Sequence, residues 1–418
     1  MQDNSEVKNI LTKAFPAFST RNYRLYFSGQ LISLIGTWLQ IVALGWLVLK
    51  MTNSAFLIGL ITALGSLPSL LFTLFGGVLV DRFPKKKILF ITQGFAMILA
   101  LTLGMLTVFN SINIWVIAVI AFLMGTVAAI DIPARQAFVA ELVNKDQIPS
   151  AIALNSATFN AARVIGPGIA GLLIAWIGTG GAFLINGISY ISVIMALRLI
   201  KIENKITEKK SGTLTAIKEG LVYSFSHPVI RMLIIFTAVS SVFGWSYSTV
   251  MPMIAANEFH LEAEGLGYMY AAGGLGALAA TLLIGIFSKK VSSVFFILGG
   301  NTLFSLSIIL FSYTSNLTLA LVLLFFAGFG LLSQFAMMNT TIQRLVKSEF
   351  RGRVLSIYIF MFMGLTPFGN FEVGLLSEKM GTGFAIRAGA FIVFLFGALV
   401  YFYRGRMRKD FTEYKNVN

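Results

Sequence analysis

Long apolar runs separated by short polar connections make up the chain from residue 24 to residue 403. A run of about 20 apolar residues crosses roughly 30 Å of hydrocarbon as a helix that satisfies its own backbone hydrogen bonds. Twelve such runs predict an all-α membrane protein with both termini on the same side. The predicted spans cover residues 24–49, 55–80, 88–109, 113–142, 150–177, 180–199, 230–255, 265–287, 291–313, 317–345, 354–377 and 383–403.

Basic residues fall almost entirely on one side of this predicted topology. If the N-terminus is cytoplasmic, all but four of the 32 lysines and arginines lie in cytoplasmic segments, as the positive-inside rule requires. We therefore expect both termini in the cytoplasm. The first apolar run is too long and begins too late for a cleavable signal, so we also expect the N-terminal segment to be retained. The four exceptions are Lys50, Arg163, Lys379 and Arg387.

The composition agrees with a membrane protein and argues against nucleic-acid binding and metal chemistry. The chain is 57% hydrophobic and 12% charged, a balance that would leave a soluble protein covered with apolar surface. Loops facing anionic lipid account for the net charge of +15, so no nucleic-acid partner is needed. There is no cysteine, and the two histidines, His227 and His260, lie in predicted loops. We therefore expect no metal site, no cofactor and no metal enzyme.

The longest interruption of the apolar pattern covers residues 200–229 and separates six spans from six. It predicts an N-terminal six-helix bundle over 1–199, a cytoplasmic linker over 200–229 and a C-terminal six-helix bundle over 230–418. Within the linker, residues 214–225 carry apolar side chains at helical spacing. This pattern predicts an amphipathic helix along the membrane face.

The two halves resemble each other at a shift of about 203 to 207 residues. Residues 122–143 align with 325–346, so that Asp131 corresponds to Gln334. An even number of spans in each half makes this a parallel repeat. Such repeats are typical of transporters whose halves move about a site near the membrane midplane.

The sequence GGVLVDRFPKKK at 76–87 places one acid and four bases between two apolar runs. Its pattern G-x-x-x-D-R-x-x-K-K resembles the loop 2–3 signature of the major facilitator superfamily. The stretches NYRLYFSGQLISLIGTWL, DIPARQAFVAELV, ARVIGPGIAG and NTTIQRLVKSEFRGRVLS resemble a branch of bacterial exporters with enterobactin-exporter-like and macrolide-efflux-like members. The motif residues are Gly77, Asp81, Arg82, Lys85 and Lys86.

This resemblance implies the major facilitator fold, with two pseudo-symmetric six-helix bundles, in a bacterial cytoplasmic (inner) membrane. The sequence departs from the family pattern at two positions. Pro84 stands where the loop signature usually has glycine. Ala121 stands where the fourth helix of many proton-driven relatives carries arginine.

Asp81 ends the second span, where a carboxylate can accept hydrogen bonds from the N-terminal amides of a neighbouring helix. The resemblance implies that this is the eleventh helix, near Arg353, and that the contact latches the outward-open state. The alternative is that the loop bases only anchor the cytoplasmic side. One of the bases Arg82, Lys85 or Lys86 is expected to pair with Glu141 below the fourth span.

Ionisable side chains at membrane depth are costly and are candidates for function. Asp131 lies in the inner half of the fourth span, with Arg135 one turn away on the same face and Arg163 at a similar height in the fifth span. These groups form either a charged cavity site that responds to protons or an anionic substrate, or a structural bridge. Glu372, in the outer half of the eleventh span, has only Lys379 as a basic neighbour on its helix. It is the candidate proton carrier, unless it simply reaches the outer surface.

Prolines and glycines predict two irregular helices. Pro133 is expected to kink the fourth span. Gly166 and Pro167 are expected to break the fifth, and Gly171 permits close helix packing there. By its position, GPGIAG also resembles the fifth-helix motif associated with antiporters.

In the superfamily, the first, fourth, seventh and tenth helices line the substrate cavity. The polar and aromatic side chains at mid-depth predict an amphiphilic substrate held by stacking and a few hydrogen bonds, although each aromatic could instead serve packing. The candidate cavity residues are Trp38, Gln40, Asn160 on the fifth span, Trp245, Tyr247, Gln334 and Asn339.

These observations predict a secondary exporter, monomeric in the lipid bilayer. It moves a small amphiphilic molecule of the drug or siderophore class by alternating access and proton antiport. No phosphate-binding loop is present, so ATP use is not expected. A lipid or lysolipid flippase is the alternative on the same fold. A membrane-embedded enzyme is disfavoured because no catalytic cluster lies at one depth, and a ligand sensor because the gating motifs are present.

Overall fold

A computed structural model describes residues 15–202, 213–288, 290–402 and 405. The side chains of residues 74–78, 81, 160, 164 and 213–217 lie outside this description. In the described part, 11 helices are long and apolar enough to cross a membrane. They are Arg21–Thr52, Ala55–Arg82, Lys85–Val108, Ile114–Glu141, Ile148–Leu199, Pro228–Val239 with its extension to Glu258, Ala263–Phe287, Ser293–Phe311, Leu317–Leu345, Arg351–Ile359 with its continuation Thr366–Met380, and Thr382–Phe402.

The helix Ile148–Leu199 contains the predicted fifth and sixth spans, which raises the number of spans to twelve. Its only non-helical residue is Gly178, with φ 71° and ψ 174°, a backbone conformation that favours glycine. The predicted break at Gly166 and Pro167 is wrong, because the helix continues through both residues. A proline removes one backbone donor, and in a membrane span the surrounding helix and its neighbours tolerate that loss.

The fourth span also continues through its proline, as the uninterrupted helix Ile114–Glu141. Its repeat counterpart is Leu317–Leu345, which begins 203 positions later. Each helix starts with an asparagine whose side-chain oxygen accepts a hydrogen bond from a first-turn amide: Asn113 from Val116, and Asn316 from Leu319, both at 3.0 Å. The repeat therefore extends to the helix caps.

The seventh and eleventh spans are irregular. In the seventh, π-helical turns at Ser240–Gly244 and Ile254–Glu258 flank the 3₁₀ segment Trp245–Val250. In the eleventh, a π-helical turn at Phe360–Gly364 precedes the helix Thr366–Met380. Such turns are rare and are frequent at functional sites. Trp245 lies directly after the turn Ser240–Gly244 and is therefore a candidate for a functional role.

Close contacts divide the chain into two units. One unit contains Met1–Leu47 and Leu71–Lys209, and the other contains Val48–Leu70 and Lys210–Asn418. The core of the first unit includes Tyr23, Tyr26 and Phe138 on the first and fourth spans. The first part of the second span therefore groups with the C-terminal spans, because most of its contacts are with them.

In the second unit, the eighth and tenth spans pack so closely that their backbones are in contact. A Cβ added at Gly276 would lie 1.8 Å from the carbonyl oxygen of Phe325, and one at Gly328 would lie 2.0 Å from that of Gly273. Only glycine fits at these two positions, because any side chain would push the eighth and tenth spans apart.

The linker contains the helix Thr213–Ser226, at the place where the sequence predicts a helix. It packs on the connection between the tenth and eleventh spans. The ring of Tyr223 stacks on Phe350 with centroids 4.5 Å apart, and Glu219 pairs with Arg353. This helix is therefore an integral part of the second unit. The predicted charged first part of the linker lies mostly outside the described residues.

Candidate functional site

Asp131 is the centre of a polar cluster inside the first unit. Its side chain is buried, with the residue 3% exposed. One carboxylate oxygen accepts hydrogen bonds from Thr92 Oγ1 at 2.7 Å and Gln93 Nε2 at 2.9 Å. The other oxygen is paired with the guanidinium of Arg135, one helical turn away. These three contacts hold the carboxylate of Asp131 in a fixed position between the third and fourth spans.

In the described part of the first unit, several polar side-chain atoms are buried without a hydrogen-bond partner. They are the hydroxyl of Tyr26, both amide atoms of Gln30, Gln93 Oε1 and Arg135 Nε. Tyr26 lies within electrostatic range of Asp131 and Arg135, and Gln30 is one turn from Tyr26 on the same helix. Unpaired buried polar groups cost free energy. The cluster therefore has hydrogen-bonding capacity that water or a substrate could use.

Arg163 was the other predicted partner of Asp131. In the structure, the carboxylate of Asp131 forms its ion pair with Arg135. Arg163 is half-buried and has a different interaction. The i,i+4 spacing is sufficient to find the first pair. The roles of Thr92 and Gln93 were missed, because their only sequence signal is two adjacent polar residues in the third span.

The predicted loop motif contains two fixed lysines. Lys85 is buried and its Nζ lies 3.3 Å from a carboxylate oxygen of Glu141. Lys86 donates to the backbone oxygen of Ile200 at 2.7 Å, whereas Arg82 is exposed. The side chain of Asp81 and the motif position Gly77 lie outside the described side chains. The bases therefore tie the third span to the fourth and sixth spans.

Aromatic contacts surround both tryptophans that were predicted for the cavity. Trp38 meets Phe159 edge-on at 6.2 Å, and a Cβ added at Gly166 would lie 2.5 Å from Trp38 Cβ. In the second unit, Trp245 contacts Phe362 and Phe335 at 5.6 and 6.5 Å. The tight approach at Gly166 shows why a glycine suits that position of the fifth span.

The other predicted cavity residues differ in their surroundings. Gln40 is buried and accepts a hydrogen bond from Asn186 of the sixth span. Gln334 is fully buried and donates to Ser240 Oγ at 2.7 Å. Asn339 accepts from Gln343, and Tyr247 lies 5.9 Å from the ring of Phe304. The side chain of Asn160 lies outside the described side chains, and Gly171 is buried within the helix Ile148–Leu199.

Glu372 is half-buried on the helix Thr366–Met380. Among the described residues, its carboxylate has no hydrogen-bond or ion-pair partner. Its neighbour Asn370 does have partners, since it accepts from Thr249 Oγ1 at 2.8 Å and donates to Ser66 Oγ at 3.2 Å. An acid at membrane depth without a fixed cation is a candidate for function.

Glu378, at the end of the same helix, holds the start of the second span. Its Oε2 accepts hydrogen bonds from Ser54 Oγ at 3.0 Å and from the amide of Phe56 at 3.1 Å. A carboxylate at a helix N-terminus is favoured by the helix dipole. Below this contact, a Cβ added at Gly59 would lie 2.7 Å from Gly374 Cα, so the two backbones touch.

We expect Glu378→Gln to weaken the contact between the second and eleventh spans, because a neutral amide loses the dipole interaction. A loss of about 0.3–1 kcal/mol would lower the population of the closed contact roughly two- to fivefold. The chain has no cysteine, so spin labels on two introduced cysteines, Met51→Cys and Met380→Cys, can report the distance between the start of the second span and the end of the eleventh. A longer distance distribution is expected in the variant. Glu264→Gln is the matched control, and equal distributions in all three proteins would contradict the prediction.

Twelve apolar spans with buried polar and charged groups define a polytopic membrane protein. A model of the family described as transmembrane secretion effector matches residues 12–415. The chain belongs to this family of the major facilitator superfamily, which confirms the resemblance found in the sequence.

Similar proteins agree with this assignment. The staphyloferrin A transporter of Staphylococcus aureus is 28% identical over 364 residues, which cover 86% of this chain and 90% of that protein. The multidrug efflux pump Tap of Mycolicibacterium fortuitum is 25% identical, with 88% and 92% covered. A bacterial homologue of the lysosomal transporter Spinster has the same fold, with a TM-score of 0.76 and 13% identity over 93% of this chain and 98% of that one.

Proposed function

We propose that this protein is a secondary exporter that moves a small amphiphilic molecule out of the cytoplasm by alternating access, in antiport with protons. The observation that carries the proposal is similarity over nearly the full length to a staphyloferrin A transporter and to a multidrug efflux pump. Because the named substrates are siderophores and drugs, export is better supported than lipid flipping. We place the protein as a monomer in the bacterial cytoplasmic membrane, with both termini in the cytoplasm.

The proposed substrate contacts combine aromatic rings with polar groups in each unit. Trp38 in the first unit and Trp245 in the second lie at corresponding positions of the repeat and each contacts other rings. Rings of this kind bind apolar and aromatic parts of a ligand by stacking. The π-helical turn Ser240–Gly244 lies directly before Trp245, and such turns are frequent at functional sites.

The proposed cycle uses charged groups for gating and coupling. We assign Asp81 to a latch with the eleventh helix. We assign the ion pair of Lys85 with Glu141 to holding the loop between the second and third spans in place. Glu372 is assigned to proton transfer and the Asp131 cluster to positioning. These assignments place the proton step and the ion pair in different parts of the chain.

The proposal is tested by transport into proteoliposomes, with a hydroxamate or carboxylate siderophore and an aromatic drug as the two probes. We expect Trp245→Ala to weaken binding of a transported aromatic probe about two- to tenfold, because the loss of one stacking ring costs roughly 0.5–1.5 kcal/mol. Trp176→Ala is the matched control, because Trp176 is 82% exposed at the end of its span. No transport of either class would refute the proposed function, and equal losses in both variants would refute the role of Trp245.

A further inference from the structure

A basic cavity lies where the tenth span ends and the eleventh begins. Its volume is about 290 Å³, near the lower end of ligand pockets, which starts at roughly 300 Å³. The lining residues are Thr340, Gln343, Arg344 and Arg351. All four belong to the second unit. The lining contains two guanidinium groups and no carboxylate.

The two arginines of this cavity differ from the basic residue beside them. Arg353 is paired with Glu219. Among the residues that the structure describes, neither Arg344 nor Arg351 forms an ion pair. Glu349 lies in the same connection but does not line the cavity. Within the described part of the chain, the two positive charges of the cavity are therefore not paired with an acid.

The backbone that carries the arginines is held in place by the linker helix. Tyr223 stacks on Phe350, and its hydroxyl accepts a hydrogen bond from the amide of Lys347 at 3.3 Å. Gly220 lets the helix approach closely, since a Cβ there would lie 2.9 Å from Arg353 Cβ. A site on a fixed backbone loses less entropy when it binds its ligand.

We propose that this cavity binds a phosphate group. The planar guanidinium forms bidentate hydrogen bonds with phosphate oxygens, and Thr340 and Gln343 add polar surface beside the charges. The position at the ends of two membrane spans, on the basic side of the chain, matches the headgroup level of an anionic lipid. The phosphate is therefore either the phosphodiester of such a lipid or a free phosphate monoester.

The experiment uses the full-length protein and measures its melting temperature in two arms. In the first arm, nanodiscs of phosphatidylcholine receive increasing fractions of phosphatidylglycerol. In the second, protein in phosphatidylcholine nanodiscs is titrated with glycerol 3-phosphate. A ligand that binds the folded state raises the melting temperature, and the midpoint gives an apparent affinity in each arm.

We expect the double variant Arg344→Gln with Arg351→Gln to weaken the apparent affinity at least about tenfold in the arm that responds. Lys218→Gln with Lys290→Gln is the matched control, because both lysines are exposed and outside the cavity and the charge change is the same. A response confined to the first arm identifies a lipid, and one confined to the second identifies a soluble phosphate. No response in either arm, or equal losses in the two double variants, would overturn the site.

Discussion

Asp131→Asn is expected to lower the stability of the folded protein by about 3 kcal/mol. The substitution leaves the guanidinium of Arg135 without its carboxylate, and breaking one side of a buried ion pair costs roughly 3–5 kcal/mol. We expect the lower end of this energy range, because 20% of the Arg135 side chain is exposed and water can partly solvate its charge. The measurement is thermal unfolding of purified protein in detergent, where the variant should melt at a clearly lower temperature.

A second variant separates the ion pair from simple loss of a side chain. Asp131→Asn combined with Arg135→Gln removes both charges and should recover most of the lost stability. Asp146→Asn changes an exposed acid in the same unit and should have little effect. If Asp131→Asn melts like the unchanged protein, the pair does not hold the fourth span in place. If the double variant is as unstable as the single one, the loss comes from the hydrogen bonds to Thr92 and Gln93.

The spans could be predicted from the sequence because their cause is local. Each apolar run must form a helix wherever it enters hydrocarbon, whatever its neighbours are. The same reasoning gave the pairing of Asp131 with Arg135, since residues four apart share one helix face. It could not give Thr92 and Gln93, because that requires knowing which face of the third span meets the fourth.

Backbone irregularities were harder to predict. Gly166 with Pro167 has the composition of a helix break, yet the helix continues there and changes direction at Gly178. The function of Gly166 is instead its close approach to Trp38. The π-helical turns of the seventh and eleventh spans were not predicted, because no pattern in the sequence was used that marks such turns.

The contact at Glu378 shows a similar limit. An acid near the end of a predicted span is common and can be explained by exposure to water alone. Its role becomes visible only when Ser54 and Phe56 are placed beside it. The sequence gives the charge, and the approach of two helices that are more than 300 residues apart gives its partner.

Glu372→Gln is expected to abolish the dependence of transport on a pH gradient while substrate binding is kept. Of the acids that we place at membrane depth, Asp131 is fixed by Thr92, Gln93 and Arg135, whereas Glu372 has no such partner among the described residues. A carboxyl group without a fixed cation can be neutral in an apolar environment and charged when it faces water. Glutamine keeps the shape of the neutral form and cannot release a proton.

The measurement is substrate accumulation in proteoliposomes with and without an imposed gradient. A gradient of one pH unit stores about 1.4 kcal/mol per proton, which is enough for roughly tenfold accumulation. Glu372→Gln should lose this accumulation and keep downhill exchange of substrate, because exchange needs the conformational change but no net proton transfer. Glu264→Gln is the matched control, because Glu264 lies in the first turn of the eighth span, outside the candidate site residues, and this variant should retain gradient-driven accumulation. If Glu372→Gln accumulates substrate as well as the unchanged protein does, the proton is carried by another group or the coupling ion is not a proton.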